Sequence, residues 1–275
     1  MSAFSERVSL GRSGLQVSKL GLGSSFGAPT RSYLEAFERG VNYFYWGSIR
    51  RSLMGDAIHE IARHSREKLV VVLQSYSRSA GFMNFSVERA IRRLGIDYGD
   101  VLLLGWHNKP LSPRILDEAQ ELLRRGRIRA IAVSSHRRPF FSTLLDRDAI
   151  SIWHVRYNAV HRGAEREVFP EVSAQPPERR PGVVSYTNTR WGHLCDPKRM
   201  PAGEVTPNGT DCYRFSLSHP AVDMCIAGAN DEEQMKQALD ALSRGPMDEG
   251  ELAWMRRVGD HIYGGDRASG FRDAV

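Results

Sequence analysis

A chain of 275 residues with 41% hydrophobic and 25% charged side chains has the composition of a folded globular protein, which excludes disorder, collagen-like repeats and disulfide-dense scaffolds. The formal net charge is +6, but the arginines are spread along the chain, so the excess reads as a solvated surface and no nucleic-acid partner is expected. The longest apolar runs, residues 69–73 and 101–104, are strand-length and far below the roughly 20 residues of a membrane span, so no membrane partner is expected either.

In chain order, residues 1–10 include Glu6 and Arg7 and no apolar stretch, so they do not read as a secretory signal, and the expected compartment is the cytoplasm. Residues 8–17 read as a β-hairpin around Gly11 and Gly14, a plug for the bottom of a barrel. Strands are then predicted over residues 19–24, 41–45, 69–75, 101–106, 128–134, 152–157, 183–187 and 222–226. Helices are predicted between and after them, over 31–39, 53–64, 86–94, 113–125, 139–145, 164–170, 212–217 and 232–242, with Ser86 as an N-cap and Gly95 and Gly126 as stops. Eight such repeats predict an α/β fold, a (β/α)8 TIM barrel with an N-terminal β-hairpin and a C-terminal extra helix over 248–261. The expectation is one domain over residues 1–275, with 265–275 as a flexible tail. The first turn, Gly21-Leu-Gly-Ser-Ser-Phe26, is not a GxGxxG fingerprint, which argues against an open dinucleotide-binding sheet. The long connection over 196–210, with Pro197, Pro201 and Pro207, is a candidate functional loop.

Cys195, Cys212 and Cys225 form no CxxC pair and leave an odd count, so they read as reduced core or near-core thiols. No His/Glu spacing makes a helical metal motif, and no metal is predicted. Lysine is scarce: Lys19, Lys68, Lys109, Lys198 and Lys236.

Four segments carry a resemblance: Leu10-Gly-Arg-Ser-Gly-Leu-Gln-Val-Ser-Lys-Leu-Gly-Leu-Gly23, Gly40-Val-Asn-Tyr-Phe44, Ser86-Val-Glu-Arg-Ala-Ile-Arg-Arg-Leu-Gly-Ile-Asp-Tyr98 and Gly126-Arg-Ile-Arg-Ala-Ile-Ala-Val-Ser134. Together, and in this order, they resemble the aldo-keto reductases, from about Val8 to the region of Ala238. The resemblance implies a TIM barrel that moves hydride from NADPH to a carbonyl with an Asp, Tyr, Lys, His tetrad. On this sequence the Asp position is Tyr45, the Tyr falls at Arg50 or Arg51, the Lys at Gln74 or Ser75, and the His at Gly105. The chain thus resembles a divergent member lacking the tetrad, and loss of general acid catalysis alone is worth about 10²–10⁴-fold in rate.

Strand parity nominates replacements. His107 is two residues beyond Gly105 and Tyr76 two beyond Gln74, so with Tyr45 and Gln74 they are the candidate catalytic residues, beside Arg50 or Arg51. The competing reading packs Tyr45 and Tyr76 into the rim and leaves His107 in a loop. On the cofactor side the resemblance implies that Gly23 and Ser24 lie beside the nicotinamide, that Ser134 and Ser135 clamp its carboxamide with His154 at the family's Gln position, and that Tyr186 stacks on the ring. Thr187, Thr189 and Arg190 come next on the seventh loop, and Gly228, Asn230 and Gln234 form the phosphate turn. The implied cofactor is NADP(H) or NAD(H). Asn230 stands where a basic residue would meet a 2′-phosphate, and Arg190 is the candidate substitute.

Arg156, His161, Arg162 and Arg190, with Trp46, Trp106 and Trp191, suggest an aromatic-lined anion pocket for a small-molecule substrate; salt links to Glu165 and Glu167 are the alternative use of those arginines. The expected function is a nicotinamide-dependent oxidoreductase with a nonstandard active site at the C-terminal barrel mouth. The alternative is a pseudoenzyme, a cofactor- or ligand-binding protein on the same barrel.

Overall fold

The computed structural model describes residues 3–24, 27–47 and 52–268. A short antiparallel hairpin, β1 (Val8–Ser9) and β2 (Gln16–Val17), precedes the repeats. These run β3 (Leu20–Gly23), α1 (Thr30–Glu38), β4 (Tyr43–Trp46), α2 (Ser52–Ser65), β5 (Val70–Ser75), α3 (Ala80–Leu94), β6 (Val101–Leu104) and α4 (Pro113–Arg124). They continue β7 (Ala130–Ser135), α5 (Pro139–Ser142), β8 (Ile150–Arg156), α6 (Ala164–Glu167), α7 (Phe169–Ser173), β9 (Gly182–Tyr186), α8 (Gly209–Leu217), β10 (Met224–Ala227), α9 (Glu232–Arg244) and α10 (Glu249–Ala268). Strands β3 to β10 pair in parallel in sequence order, and β10 pairs with β3 to close the barrel.

Strand alternation creates two apolar layers. Outward-facing Leu22, Phe44, Val71, Leu73, Leu102, Leu104 and Val133 join helix residues such as Tyr33, Met54, Ile91 and Leu122 in one core. Inward-facing Tyr43, Val70, Val72, Val101, Leu103, Ala132, Ile152 and Met224 fill the interior, where Leu10, Leu15 and Val17 of the hairpin complete it from below. Gly11 seats the plug: it has φ +49°, and a Cβ there would come within 2.1 Å of the Gly182 backbone nitrogen. Asp100 fastens the same end, accepting from Val71 N at 2.8 Å and pairing with Arg66 at 2.8 Å and Arg129 at 3.1 Å.

Several boundaries differ from the sequence reading. Helix α3 begins at Ala80 instead of Ser86, whose hydroxyl donates to Met83 O at 2.8 Å inside the helix. Its first turns face Phe82 and Phe85 to solvent, which hid the helical period. The predicted helix over 164–170 breaks at Val168 (φ −132°) into α6 and α7. Strand β6 stops at Leu104, before residues 105 and 106, which were predicted to extend it. Helix α10 runs on through Gly264 and Gly265 to Ala268, so residues 265–268 of the predicted flexible tail are helical; 269–275 lie outside the described residues. Among the described residues no helix is long and apolar enough to cross a membrane.

Candidate active site

The carboxyl ends of the barrel strands open into a cavity of ≈ 610 Å³. Its floor and one wall come from alternate residues of β3 to β8: Gly23, Tyr45, Gln74, Leu103, Ser134 and His154. The opposite wall is Tyr186 at the end of β9 and the segment after it, Thr187 to Thr189 and Trp191, Gly192 and Cys195, and the far end is Gly228, Asn230, Gln234 and Gln237 around the start of α9. Tyr76, Trp106 and Trp191 stand at the rim, each more than 40% exposed.

At the floor, the Tyr45 hydroxyl donates to Gln74 Oε1. Burial holds the Tyr45 phenol well above its ordinary acidity range, and the neighbouring Tyr76 hydroxyl adds to the effect. Gly105 makes the pairing fit, because a Cβ there would lie 2.7 Å from both Gln74 Nε2 and Tyr76 Cε1. The ambiguity between Gln74 and Ser75 is resolved by alternation: Gln74 faces the cavity and Ser75 is buried away from it.

His154 sits deeper, its Nε2 2.9 Å from the Tyr43 hydroxyl and its ring 6.2 Å from the Tyr45 ring. Among the described contacts the Tyr43 hydroxyl meets His154 alone, so its hydrogen goes to Nε2 and the imidazole hydrogen is assigned to Nδ1. Burial lowers the His154 pKa to about 3, which keeps the ring neutral. Above it, Tyr186 stacks against His136 at 6.1 Å, and His136 lies 5.4 Å from Trp106. Burial raises the Tyr186 phenol as well.

Most candidates from the sequence line this one space: Tyr45, Gln74, Tyr76, Gly23, Ser134, His154, Tyr186, Thr187, Thr189, Gly228, Asn230 and Gln234. Four do not. His107 is turned out of the cavity, buried, with Nε2 3.2 Å from Arg78. Trp106 has φ 58°, so the strand alternation that predicted His107 is broken and Trp106 takes the rim. Burial and Arg78 lower the His107 pKa to about 4. Ser24 is buried and its hydroxyl accepts from Gly47 N at 3.1 Å. Ser135 is buried and donates to Asn108 Oδ1 at 3.0 Å. Arg190 is buried with its guanidinium 2.7 Å from Asp266 of α10, so it points away from the space it was to serve.

The predicted anion pocket is not assembled among the described residues: no Arg, Lys, Asp or Glu lines the cavity. Arg162 pairs with Asp260, and Arg156 is not a lining residue. Glu165 and Glu167 are held by Arg256 and Arg138. Trp46 is buried among the helices. Arg50 and Arg51 lie outside the described residues. His136, Asn188, Cys195, Tyr213 and Gln237 were missed. Parity from Ser134 could have found His136, and the helical spacing from Gln234 could have found Gln237.

The profile of the Aldo/keto reductase family matches residues 31–175, more than half of the chain. L-galactose dehydrogenase of Arabidopsis thaliana is 21% identical over 281 residues, covering 85% of this chain and 87% of that protein. The holo form of an aldo-keto reductase from Bacillus halodurans superposes with a TM-score of 0.77 at 22% identity, over 92% of this chain and 96% of that one. An aldo/keto reductase from Klebsiella pneumoniae in complex with NADP and acetate gives 0.74 at 19% identity, over 92% and 95%. A closed parallel barrel with its cavity at the carboxyl ends of the strands is the α/β-barrel architecture these proteins share. The chain belongs to the aldo/keto reductase family.

Proposed function

We propose that the protein is a nicotinamide-dependent oxidoreductase with a nonstandard active site, in which Tyr45 is the proton donor and Gln74 orients it. The observation that supports this reading is the neutral, hydrogen-bonded Tyr45–Gln74 pair on the floor of a cavity large enough for a dinucleotide. The residues present suit that ligand. Tyr186 offers a flat aromatic face, Ser134 and the Nδ1–H of His154 offer polar atoms beside it, and Gly228, Asn230 and Gln234 lie at the far end near the start of α9. When bound, the nicotinamide cofactor supplies or accepts a hydride.

Tyr45 is protonated at neutral pH, and burial holds it further toward the neutral form; on turning its hydrogen from Gln74 Oε1, the hydroxyl can donate to a developing alkoxide, a stronger base than its own phenolate. No cation in the described lining lowers its pKa, so proton delivery is slow by comparison with a lysine-assisted phenol. The neutral lining favours an uncharged carbonyl or alcohol substrate over an anionic one. It also favours NADH binding at least as tightly as NADPH, because Asn230 and Gln234 carry no charge toward a 2′-phosphate and Arg190 is engaged with Asp266.

The same absence of charge supports a second reading, a cofactor-binding pseudoenzyme. Titration with NADH and NADPH, followed by quenching of Trp106 and Trp191, tests the shared part. Saturable binding with hydride transfer that falls about 10²-fold or more in Tyr45→Phe supports the first reading. Binding without turnover over a broad carbonyl and alcohol panel supports the second, and no binding of either nucleotide removes both.

A further inference from the structure

Two thiols that neither reading uses meet in the wall of the cavity. Cys195 closes the 3-10 turn His193–Cys195, which follows the wall segment after β9, and its side chain lines the cavity. Cys212 is buried in α8, next to Tyr213, another lining residue. The two sulfurs are 3.8 Å apart. A disulfide bond is about 2.0 Å long, so joining them asks the two side chains to close a gap of roughly 1.8 Å. Cys225 is buried in β10, and the described sulfur–sulfur contact is between the other two.

We infer that Cys195 and Cys212 form a peroxide-sensitive dithiol, with Cys195 as the attacking and Cys212 as the resolving sulfur, whose oxidation ties the cavity wall to α8. The roles are set by access. Cys195 is only partly buried and can be reached through the cavity, whereas Cys212 is closed off beneath it. They agree with the electrostatics. The hydrogen bond from Cys212 holds the Cys195 thiol below its ordinary pKa, and the same contact together with burial pushes Cys212 up.

The Cys195 thiolate attacks one oxygen of hydrogen peroxide; the O–O bond breaks and hydroxide leaves, taking up the thiol's proton as water. The Cys212 sulfur then attacks the resulting sulfenic sulfur, the S–O bond breaks, and a second water leaves with the Cys212 proton. Two thiols lose two electrons to one peroxide, and one S–S bond is formed. The bond would fix a wall whose backbone is already held in left-handed conformations at Thr187, Arg190, Trp191 and Gly192 (φ 50–88°). That segment would lose the freedom to move aside for a ligand.

The test is a thiol count on the reduced full-length protein before and after hydrogen peroxide, by alkylation under denaturing conditions and peptide mass spectrometry. Free thiols should fall from three per chain to one, with Cys225 remaining. A peptide joining Cys195 to Cys212 should appear and be reversed by dithiothreitol. In Cys195→Ser the cross-link should be absent. In Cys212→Ala a sulfenic acid should accumulate on Cys195 and be trapped by dimedone; should that variant fail to fold, Cys195→Ser and the cross-link decide. Retention of all three thiols, a link through Cys225, or a link only between chains would overturn the inference. The count uses no nucleotide, so it fails or succeeds independently of the cofactor reading.

Discussion

His154 brings together burial, tautomer and acidity in one side chain. Its folded pKa of about 3 lies below the ordinary 6.5, so the folded state binds its proton less readily than the unfolded chain. The stabilisation this gives is fully present above pH 6.5 and is lost as pH falls from there toward 3. Near pH 5 the stability of the wild type should fall with decreasing pH more steeply than that of His154→Gln, by up to about 1.4 kcal/mol per pH unit. Urea denaturation at a series of pH values measures the difference; parallel curves would mean that His154 is not held neutral by the fold. Tyr43→Phe should remove the donor to Nε2 and cost about 1–3 kcal/mol in the same assay. It should also weaken nucleotide binding, because the imidazole hydrogen is no longer confined to Nδ1. At this scale the sequence was informative where alternation holds. Tyr45, Gln74, Ser134 and His154 are inward positions on the barrel strands, and their types could be read directly. His107 could not be placed the same way, because one left-handed residue, Trp106, inverts the parity after Leu104. No composition or period announces that.

The elements show what local pattern leaves out. Eight strands and their order were legible as apolar runs, since a strand covered on both faces is apolar throughout. The start of α3 was not, because Phe82 and Phe85 lie on its exposed side where polar residues would be expected. Nor did the sequence reveal Asp100, whose carboxylate joins three neighbouring units at the barrel's closed end. It accepts from β5, pairs with Arg66 ahead of β5, and pairs with Arg129 ahead of β7. Asp100 is buried, so Asp100→Ala should leave Val71 N without its acceptor and the Arg66 guanidinium without its anionic partner, held only by the carbonyls of Leu69 and Tyr98. The expected loss is about 3–5 kcal/mol in chemical denaturation. An effect below about 1 kcal/mol would show that water replaces the carboxylate at little cost.

Across the whole molecule, the last helix reaches the mouth of the barrel. Asp266 of α10 pairs with buried Arg190 at 2.7 Å and with Arg199 at 3.2 Å, bracketing the turn that ends at Cys195. Arg190 is therefore a fastening of the cavity wall, which is why it offers no charge to a ligand. Asp266→Ala should lower stability by about 3 kcal/mol, toward the low end for a broken buried pair because His193 Nδ1 still meets Arg190 at 2.6 Å. It should also weaken nucleotide binding more than a surface change such as Arg257→Ala does. Equal binding in the two variants would separate α10 from the site. The seam between β10 and β3, where Cys225 lies opposite Leu20 and Ala227 opposite Leu22, matters in a different way. During synthesis the first barrel strand leaves the ribosome long before the last. Until Ala227 has emerged the growing sheet carries two open edges, so the nascent chain passes through a period in which β3 is available to strands of other molecules.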